Sequence, residues 1–218
     1  MQITFDDIRH NRAINAYIEK ADESLIALGY TEHCYPHVLK VAETASKILL
    51  ALGYSEREAE LARMAGYLHD IGNVINRVDH AQSGAVMAFR LLDNMGADPD
   101  DIATIITAIG NHDEKTAFPV NSVAAALILA DKTDVRRSRV RKQPMEQFDI
   151  HDRVNYSVTA ADLDVDKEAV TLRITIETEI CNVLEYFEIF LDRMLLCRKA
   201  ASQLGVDFHL VVNGQQMM

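Results

Sequence analysis

The sequence predicts a mainly α-helical protein that ends in a small α+β part. From residue 5 to about residue 142, apolar residues recur at the spacing of amphipathic helices, and capping residues and glycines separate the segments. After Pro144 the pattern changes to the alternation typical of strands. We therefore expect a bundle of five to six helices in residues 1–145 and a β-β-α-β part in residues 146–218.

The first two helices are predicted from apolar spacing and from their end signals. The first spans residues 5–28, and the second begins between Thr31 and Pro36 and ends at Leu52, before Gly53. Proline is tolerated in the first turn of a helix because the missing N–H would have no helical partner there.

Capping residues mark the remaining helices of the bundle. Ser55 and Glu58 have the spacing of a capping box and open the third helix. The predicted N-terminal caps of the next three helices are Asp79 together with Gln82, Asp98 followed by Pro99, and Asn121.

The C-terminal part is predicted from alternating apolar residues. A hairpin is expected over residues 154–177, followed by a long helix over 178–204 and a strand over 206–212. A three-stranded sheet cannot cover all the apolar residues of helix 178–204. We therefore expect this part to bind a partner, with a homodimer contact through that helix.

Charge and hydropathy exclude several classes of partner. The formal net charge is −11, which disfavours broad binding to nucleic acids or anionic membranes because both are polyanions. No apolar segment approaches the roughly 20 residues that span a bilayer, and the N-terminus lacks a signal-peptide pattern. We expect a cytoplasmic location. A local basic run over residues 136–142 is a candidate phosphate-binding patch.

The most specific segment is Gly66-Tyr67-Leu68-His69-Asp70-Ile71-Gly72. Adjacent helical side chains point about 100° apart, so His69 and Asp70 can reach one cation only at a helix end, which Gly72 supplies. An imidazole and a carboxylate are ligands suited to a divalent transition metal in hydrolytic chemistry.

Four other residues are candidates for the same site: His37, His80, His112 and Asp131. Each histidine also has a structural explanation. His37 is explained as a core residue, His80 as a surface or capping residue, and His112 as a charge that favours a helix C-terminus. Asp131 is the most informative, because a carboxylate in an apolar helix is costly unless a cation or hydrogen-bond donors compensate it.

The order of these residues resembles the HD superfamily of metal-dependent phosphohydrolases, whose minimal pattern is a His, a His-Asp pair and a distant Asp on separate helices. The resemblance covers roughly residues 30–142 and is strongest to the two-metal branch, which includes HD-GYP cyclic-dinucleotide phosphodiesterases and diadenosine tetraphosphate hydrolases. It implies one metal bound by His37, His69, Asp70 and Asp131, and a second bound by Asp70, His80 and His112.

The resemblance also implies the chemistry. Two cations about 3.5–4 Å apart activate a hydroxide and clamp a phosphate, with Asp70 as the bridging, catalytic residue. The ligands suit iron, manganese, zinc, nickel or cobalt. The predicted substrate contacts are His33, Arg77, Lys132, Arg136 and Arg137, and the alternative for the basic residues is a solvated charged face. For His33, the alternatives are a third-metal ligand or a solvent-facing side chain.

Departures from the family pattern narrow the function. Asn73 stands where HD-GYP proteins usually have lysine, and the Gly-Tyr-Pro segment is absent, which disfavours hydrolysis of cyclic di-guanylate. We expect hydrolysis of a phosphoester or phosphoanhydride bond in a nucleotide or small phosphorylated metabolite. A regulatory module that binds a nucleotide without turnover is the alternative, and RNA binding through residues 136–142 is a weaker third possibility.

Overall fold

The computed structural model describes residues 2–142 and 145–218, which form nine α-helices and one four-stranded sheet. The helices are α1 Phe5–Arg9, α2 Arg12–Ala27, α3 Tyr35–Ala51, α4 Glu56–Leu68, α5 His80–Asn94, α6 Pro99–Gly110, α7 Ser122–Lys132, α8 Ile150–Ser157 and α9 Val183–Gln203. The strands are β1 Val158–Val165, β2 Ala169–Ile176, β3 Asp207–Val212 and β4 Gln215–Gln216. The predicted fold class, a helical bundle followed by a small α+β part, is confirmed.

Local capping interactions explain most helix starts. The predicted capping box of Ser55 and Glu58 is present at α4, and the predicted caps Asp98 and Asn121 accept backbone hydrogen bonds at α6 and α7. The first predicted helix is instead two helices, because Asn11 caps α2 by accepting hydrogen bonds from two backbone N–H groups. The predicted cap at Asp79 is wrong, since this residue adopts a left-handed conformation and its side chain makes no capping hydrogen bond.

α7 lies at the centre of the bundle. Every residue from Val123 to Ala130 is buried, so this helix is apolar on all sides and packs against α3, α4 and α6. Asp131 and Lys132 follow this buried stretch at the end of the helix. The polar end of α7 is thus held in the interior.

The C-terminal sheet has the order β1-β2-β3-β4. β1 and β2 form the predicted hairpin, and α9 crosses over so that β3 pairs in parallel with β2. The predicted hairpin extended too far toward the N-terminus, because residues 150–157 form α8 behind a capping box of Asp149 and Asp152. The sequence pattern also missed β4, which follows a turn with positive φ at Asn213 and Gly214.

α9 packs against both the sheet and α7. Phe190 and Met194 are therefore buried within the chain, while Leu184 and Leu191 stay exposed. Buried apolar residues of both parts form one continuous core. The homodimer contact and the boundary between residues 145 and 146 stay predictions, and Pro144 lies outside the described residues. In the described part of the chain, no helix combines the length and hydropathy needed to cross a bilayer.

Gly66 sets the separation of α3 and α4, the two helices that carry His37 and the His69-Asp70 pair. A Cβ atom at Gly66 would lie 2.7 Å from the Ala42 Cα atom, closer than such atoms normally approach. The backbones can cross this closely only because Gly66 has no side chain.

Substituting Gly66→Ala is expected to lower the free energy of unfolding by about 2 kcal/mol, because the added methyl overpacks the α3–α4 crossing. The matched control is Gly110→Ala in α6, where the added Cβ would lie an ordinary 3.7 Å from the Ala85 Cβ atom. This variant should gain about 0.5 kcal/mol from helix propensity. Urea unfolding curves measure both, and equal stability of the two variants would contradict the prediction.

Candidate metal centre

Six side chains that the sequence predicts as metal ligands lie together in one buried cluster. They come from separate elements: His37 from the first turn of α3, His69 and Asp70 from the end of α4, His80 from the start of α5, His112 from the segment after α6, and Asp131 from the end of α7. The four histidines and Asp70 are at most 5% exposed.

One half of the cluster surrounds Oδ2 of Asp70. The Nε2 atoms of His37 and His69 lie 3.3 Å apart, and the distance from His69 Nε2 to Asp70 Oδ2 is also 3.3 Å. Asp131 Oδ1 lies 3.4 Å from His37 Nε2. The two imidazoles therefore lie between the Asp70 and Asp131 carboxylates.

The other half of the cluster surrounds Oδ1 of Asp70. His80 Nε2 lies 3.4 Å from this oxygen and 3.2 Å from Nε2 of His112. Asp70 thus presents a different carboxylate oxygen to each half. Asn73 Nδ2 also donates a hydrogen bond to Oδ1, at 2.9 Å, which fixes the orientation of the carboxylate.

The second nitrogen of each histidine has an acceptor as its partner. Nδ1 of His69, His80 and His112 lies 2.7, 3.1 and 2.6 Å from the carbonyl oxygens of Gly66, Arg77 and Ile109, respectively. A carbonyl oxygen can only accept, so Nδ1 must donate in each case. The Nε2 atom that faces the cluster then carries a lone pair in the neutral ring.

This donor set fits divalent cations. Neutral Nε2 atoms about 3.3 Å apart have no proton to share, and ionised carboxylates beside them add negative charge. Metal bonds of about 2.1 Å place neighbouring ligand atoms roughly 3 to 3.5 Å apart, close to the spacing observed here. In three groups of three of these residues, the potential ligand atoms all lie within 4.8 Å of one another.

Protonation states agree with a metal-binding role. Burial alone would raise the pKa values of Asp70 and Asp131, but nearby His69 and Lys132 outweigh it, and both pKa values are held well below the usual range. Burial lowers the pKa values of His80 and His112. Burial also acts to lower the pKa of His69, but the neighbouring Asp70 and Asp131 carboxylates outweigh it and raise this pKa, so a bound cation would displace a proton from His69. Ionised carboxylates and neutral imidazoles are the forms that bind metals.

Asp134 orients His37 and was assigned no role by the sequence analysis. Its carboxylate is fully buried, and Oδ2 accepts a hydrogen bond from His37 Nδ1 at 2.8 Å. Oδ1 pairs with Arg136 Nε at 2.9 Å and Lys40 Nζ at 3.3 Å. Burial opposes ionisation, but His37 and Arg139 lower the pKa of Asp134. The sequence did contain a signal for this role, because Asp134 is a further carboxylate only three residues after the predicted ligand Asp131.

An open cavity of about 790 Å³ lies over the cluster. Three of the predicted substrate contacts, His33, Arg77 and Lys132, line it. Lys132 Nζ lies 2.6 Å from Asp131 Oδ2, and Arg77 approaches Asp70 Oδ1 at 3.9 Å. His33 donates from Nδ1 to the Thr31 carbonyl oxygen at 2.6 Å, which leaves Nε2 free.

The other two predicted substrate contacts do not line the cavity. Arg136 pairs with Asp134 and Glu32, while Arg137 pairs with Glu177 and stacks on Tyr156. The sequence analysis also missed residues that do line it, namely Glu114 after α6, Asn155 in α8, and Phe190 and Arg193 in α9.

The sequence of this chain is similar to a known domain family and to several known proteins. The sequence model of the HD domain matches residues 34–153, more than half of the chain. An uncharacterised protein from Methanocaldococcus jannaschii is 26% identical over 213 residues, covering 86% of this chain and 80% of the relative.

Two further relatives are named ribonuclease Y. The protein from Aster yellows witches'-broom phytoplasma is 29% identical over 121 residues, and that from Aliarcobacter butzleri is 30% identical over 122 residues. The matches cover 56% and 55% of this chain but only 21% of each relative. A crystal structure of a predicted HD superfamily hydrolase from an uncultured Thermotogales bacterium is 30% identical, covers 58% of this chain and 69% of its own, and has a TM-score of 0.45.

Substituting Asp134→Asn is expected to weaken metal binding about tenfold, because the amide lacks the charge that holds His37 Nδ1–H in place. Competition between the protein and a fluorescent chelator for Mn²⁺ or Zn²⁺ measures the affinity. Asp93→Asn, on the exposed surface of α5, is the control and should bind metal like the wild type. Unchanged affinity in Asp134→Asn would exclude the orienting role.

Proposed function

The chain belongs to the HD domain family, and from this premise we propose that it is a metal-dependent phosphohydrolase acting on a nucleotide or another small phosphorylated metabolite. The observation that carries the proposal is the double-sided arrangement of Asp70, whose two oxygens face His37 and His69 on one side and His80 on the other. This arrangement supports two metal ions rather than one.

In the proposed reaction, the residues of the cluster would bind two cations. The cations, when bound, would supply a water molecule that is deprotonated near neutral pH and positive charge for the phosphate oxygens. His37, His69, Asp70 and Asp131 would bind one cation, and Asp70, His80 and His112 the other.

The cavity residues would position the substrate. Lys132 is nearly buried beside Asp131, and Arg77 lies beside Asp70, so both can contact phosphate oxygens at the centre. Burial and the Arg139 charge lower the pKa of His33. His33 is therefore neutral at pH 7 and offers Nε2 to the substrate as a hydrogen-bond acceptor.

Two other functions compete with this proposal. A regulatory module would bind a nucleotide in the same cavity without turnover. The relatives named ribonuclease Y make RNA the competing substrate. The net charge of −11 and the position of the cluster beneath a cavity support a small substrate over a polymer.

Metal content tests the two-metal arrangement. Inductively coupled plasma mass spectrometry of the reconstituted protein should find about two ions per chain, and His80→Ala combined with His112→Ala should reduce this to about one, because only one half of the cluster loses its imidazoles. One ion in both proteins would assign His80 and His112 a structural role.

Activity tests the hydrolase. The metal-loaded protein should hydrolyse bis(p-nitrophenyl) phosphate, and chelation should abolish turnover. Asp70→Asn should lower kcat/KM by roughly a thousandfold, because the side chain shared by both halves loses its negative charge and one of its two oxygens. Arg90→Ala, an exposed residue of α5, is the control.

The same assay with mononucleotides, dinucleotides, inorganic polyphosphate and a short RNA ranks the substrate classes. Nucleotide binding without turnover would favour the regulatory module. Preferential cleavage of the RNA would overturn the proposed substrate class.

A further inference from the structure

The C-terminal part forms one wall of the cavity above the metal centre. Phe190 and Arg193 from α9 line the cavity, as do His151 and Asn155 from α8. α9 lies beyond residue 153, where the match to the HD domain ends. α9 therefore adds to the cavity two lining residues, Phe190 and Arg193, that the matched segment does not contain.

Arg193 is held in a fixed orientation on this wall. Its Nε atom lies 2.6 Å from Glu114 Oε1, and its guanidinium carbon lies 4.4 Å from the centre of the Phe190 ring. Neither of its two terminal nitrogens donates a hydrogen bond to another of the described residues. A guanidinium fixed in this way by an ion pair and an aromatic face can bind an oxyanion with little further loss of entropy.

A row of charges connects Arg193 to the metal centre. Glu114 Oε1 lies 3.4 Å from Lys132 Nζ, and that ammonium group lies 2.6 Å from Asp131 Oδ2. Asp131 also faces the metal centre, where its charge would be shared with a bound metal. Among the described ion pairs of this row, Glu114 is then the one carboxylate that balances the charges of Lys132 and Arg193. The row therefore carries excess positive charge beside the cavity when the centre is occupied by metal.

We propose that Arg193 is a substrate-binding residue for a second anionic group of the substrate, beyond the phosphate at the metal centre. Lys132 and Arg193 both line the cavity and both approach Glu114 Oε1, so the two cations lie close enough together to suit linked phosphates. The preferred substrates are then small molecules with at least two linked phosphates. This inference rests on the proposed function, because it takes the metal centre as the position of the first phosphate.

Isothermal titration calorimetry of the full chain loaded with Mn²⁺ tests the proposal. The probes are inorganic phosphate and methylenediphosphonate, a diphosphate analogue that resists hydrolysis. Arg193→Ala should weaken the affinity for methylenediphosphonate at least about tenfold, the loss expected for a charge-assisted hydrogen bond. The loss for phosphate should be at least fivefold smaller.

Control variants separate binding from structure. Arg198→Ala removes an exposed arginine of the same helix and should leave both affinities unchanged. Glu114→Gln keeps an oxygen that can accept from Arg193 Nε but removes the competing negative charge. It should therefore strengthen methylenediphosphonate binding about threefold, which tests the proposal even where Arg193→Ala fails to fold. Arg193→Lys keeps the charge without the planar fork and should show an intermediate loss.

Three outcomes would overturn the proposal: equal weakening of both anions in Arg193→Ala, no weakening of either, or unchanged diphosphonate affinity in Glu114→Gln. Failure of the proposed function is a separate result. A wild-type protein that binds Mn²⁺ and prefers methylenediphosphonate, yet hydrolyses no phosphate ester, would keep the role of Arg193 and remove the hydrolase.

Discussion

The arrangement of acceptor atoms around Asp70 is the constraint on which the bundle depends. Imidazole nitrogens with lone pairs and two ionised carboxylates face one another in the interior, where their mutual repulsion is poorly screened. A bound cation would offset this repulsion, and the cluster forms only when five segments of chain converge. Small residues permit this: Gly66 lets α4 approach α3, and a Cβ atom on Gly72 would overlap the His80 carbonyl oxygen.

Sequence reasoning succeeded where the determining interactions are local. The capping box of Ser55 and Glu58 and the caps at Asp98 and Asn121 depend on residues three positions apart or fewer. It failed where tertiary contacts decide. Asp79 adopts a left-handed conformation, in which the chain turns sharply and places His80 against Asp70. The spacing of Asp79 and Gln82 therefore accompanies a turn and not the side-chain cap that it suggested. Two local signals marked the predicted metal ligands: the adjacent His69 and Asp70 at a helix end, and the Asp131 carboxylate in an apolar helix.

The basic run over residues 136–142 is a case in which partners distant in the chain decide what the residues do. Its residues suggested a phosphate-binding patch, but Arg136 pairs with Glu32, and Arg139 donates to the Glu32 carbonyl oxygen, while Arg141 pairs with Asp22. These partners lie more than a hundred residues away in the chain, so no local pattern could reveal them. The arginines instead hold the loop before α3, which carries His33. Arg139 and Lys142 of the same run also line the cavity.

The difference between local contacts and contacts of distant elements also explains why the apolar residues of the C-terminal part suggested a partner. Apolar residues in α9 suggested a partner because the sheet alone could not cover them, yet α7 covers much of that surface from within the chain. Packing α9 against α7 has a second consequence, because α7 ends at Asp131 and Lys132. By packing along α7, α9 reaches the rim of the metal centre. Arg193 lies at this point of α9, because it contacts Glu114, which also approaches Lys132. The contact that completes the apolar core is therefore also the contact that can set the length and charge of the substrate.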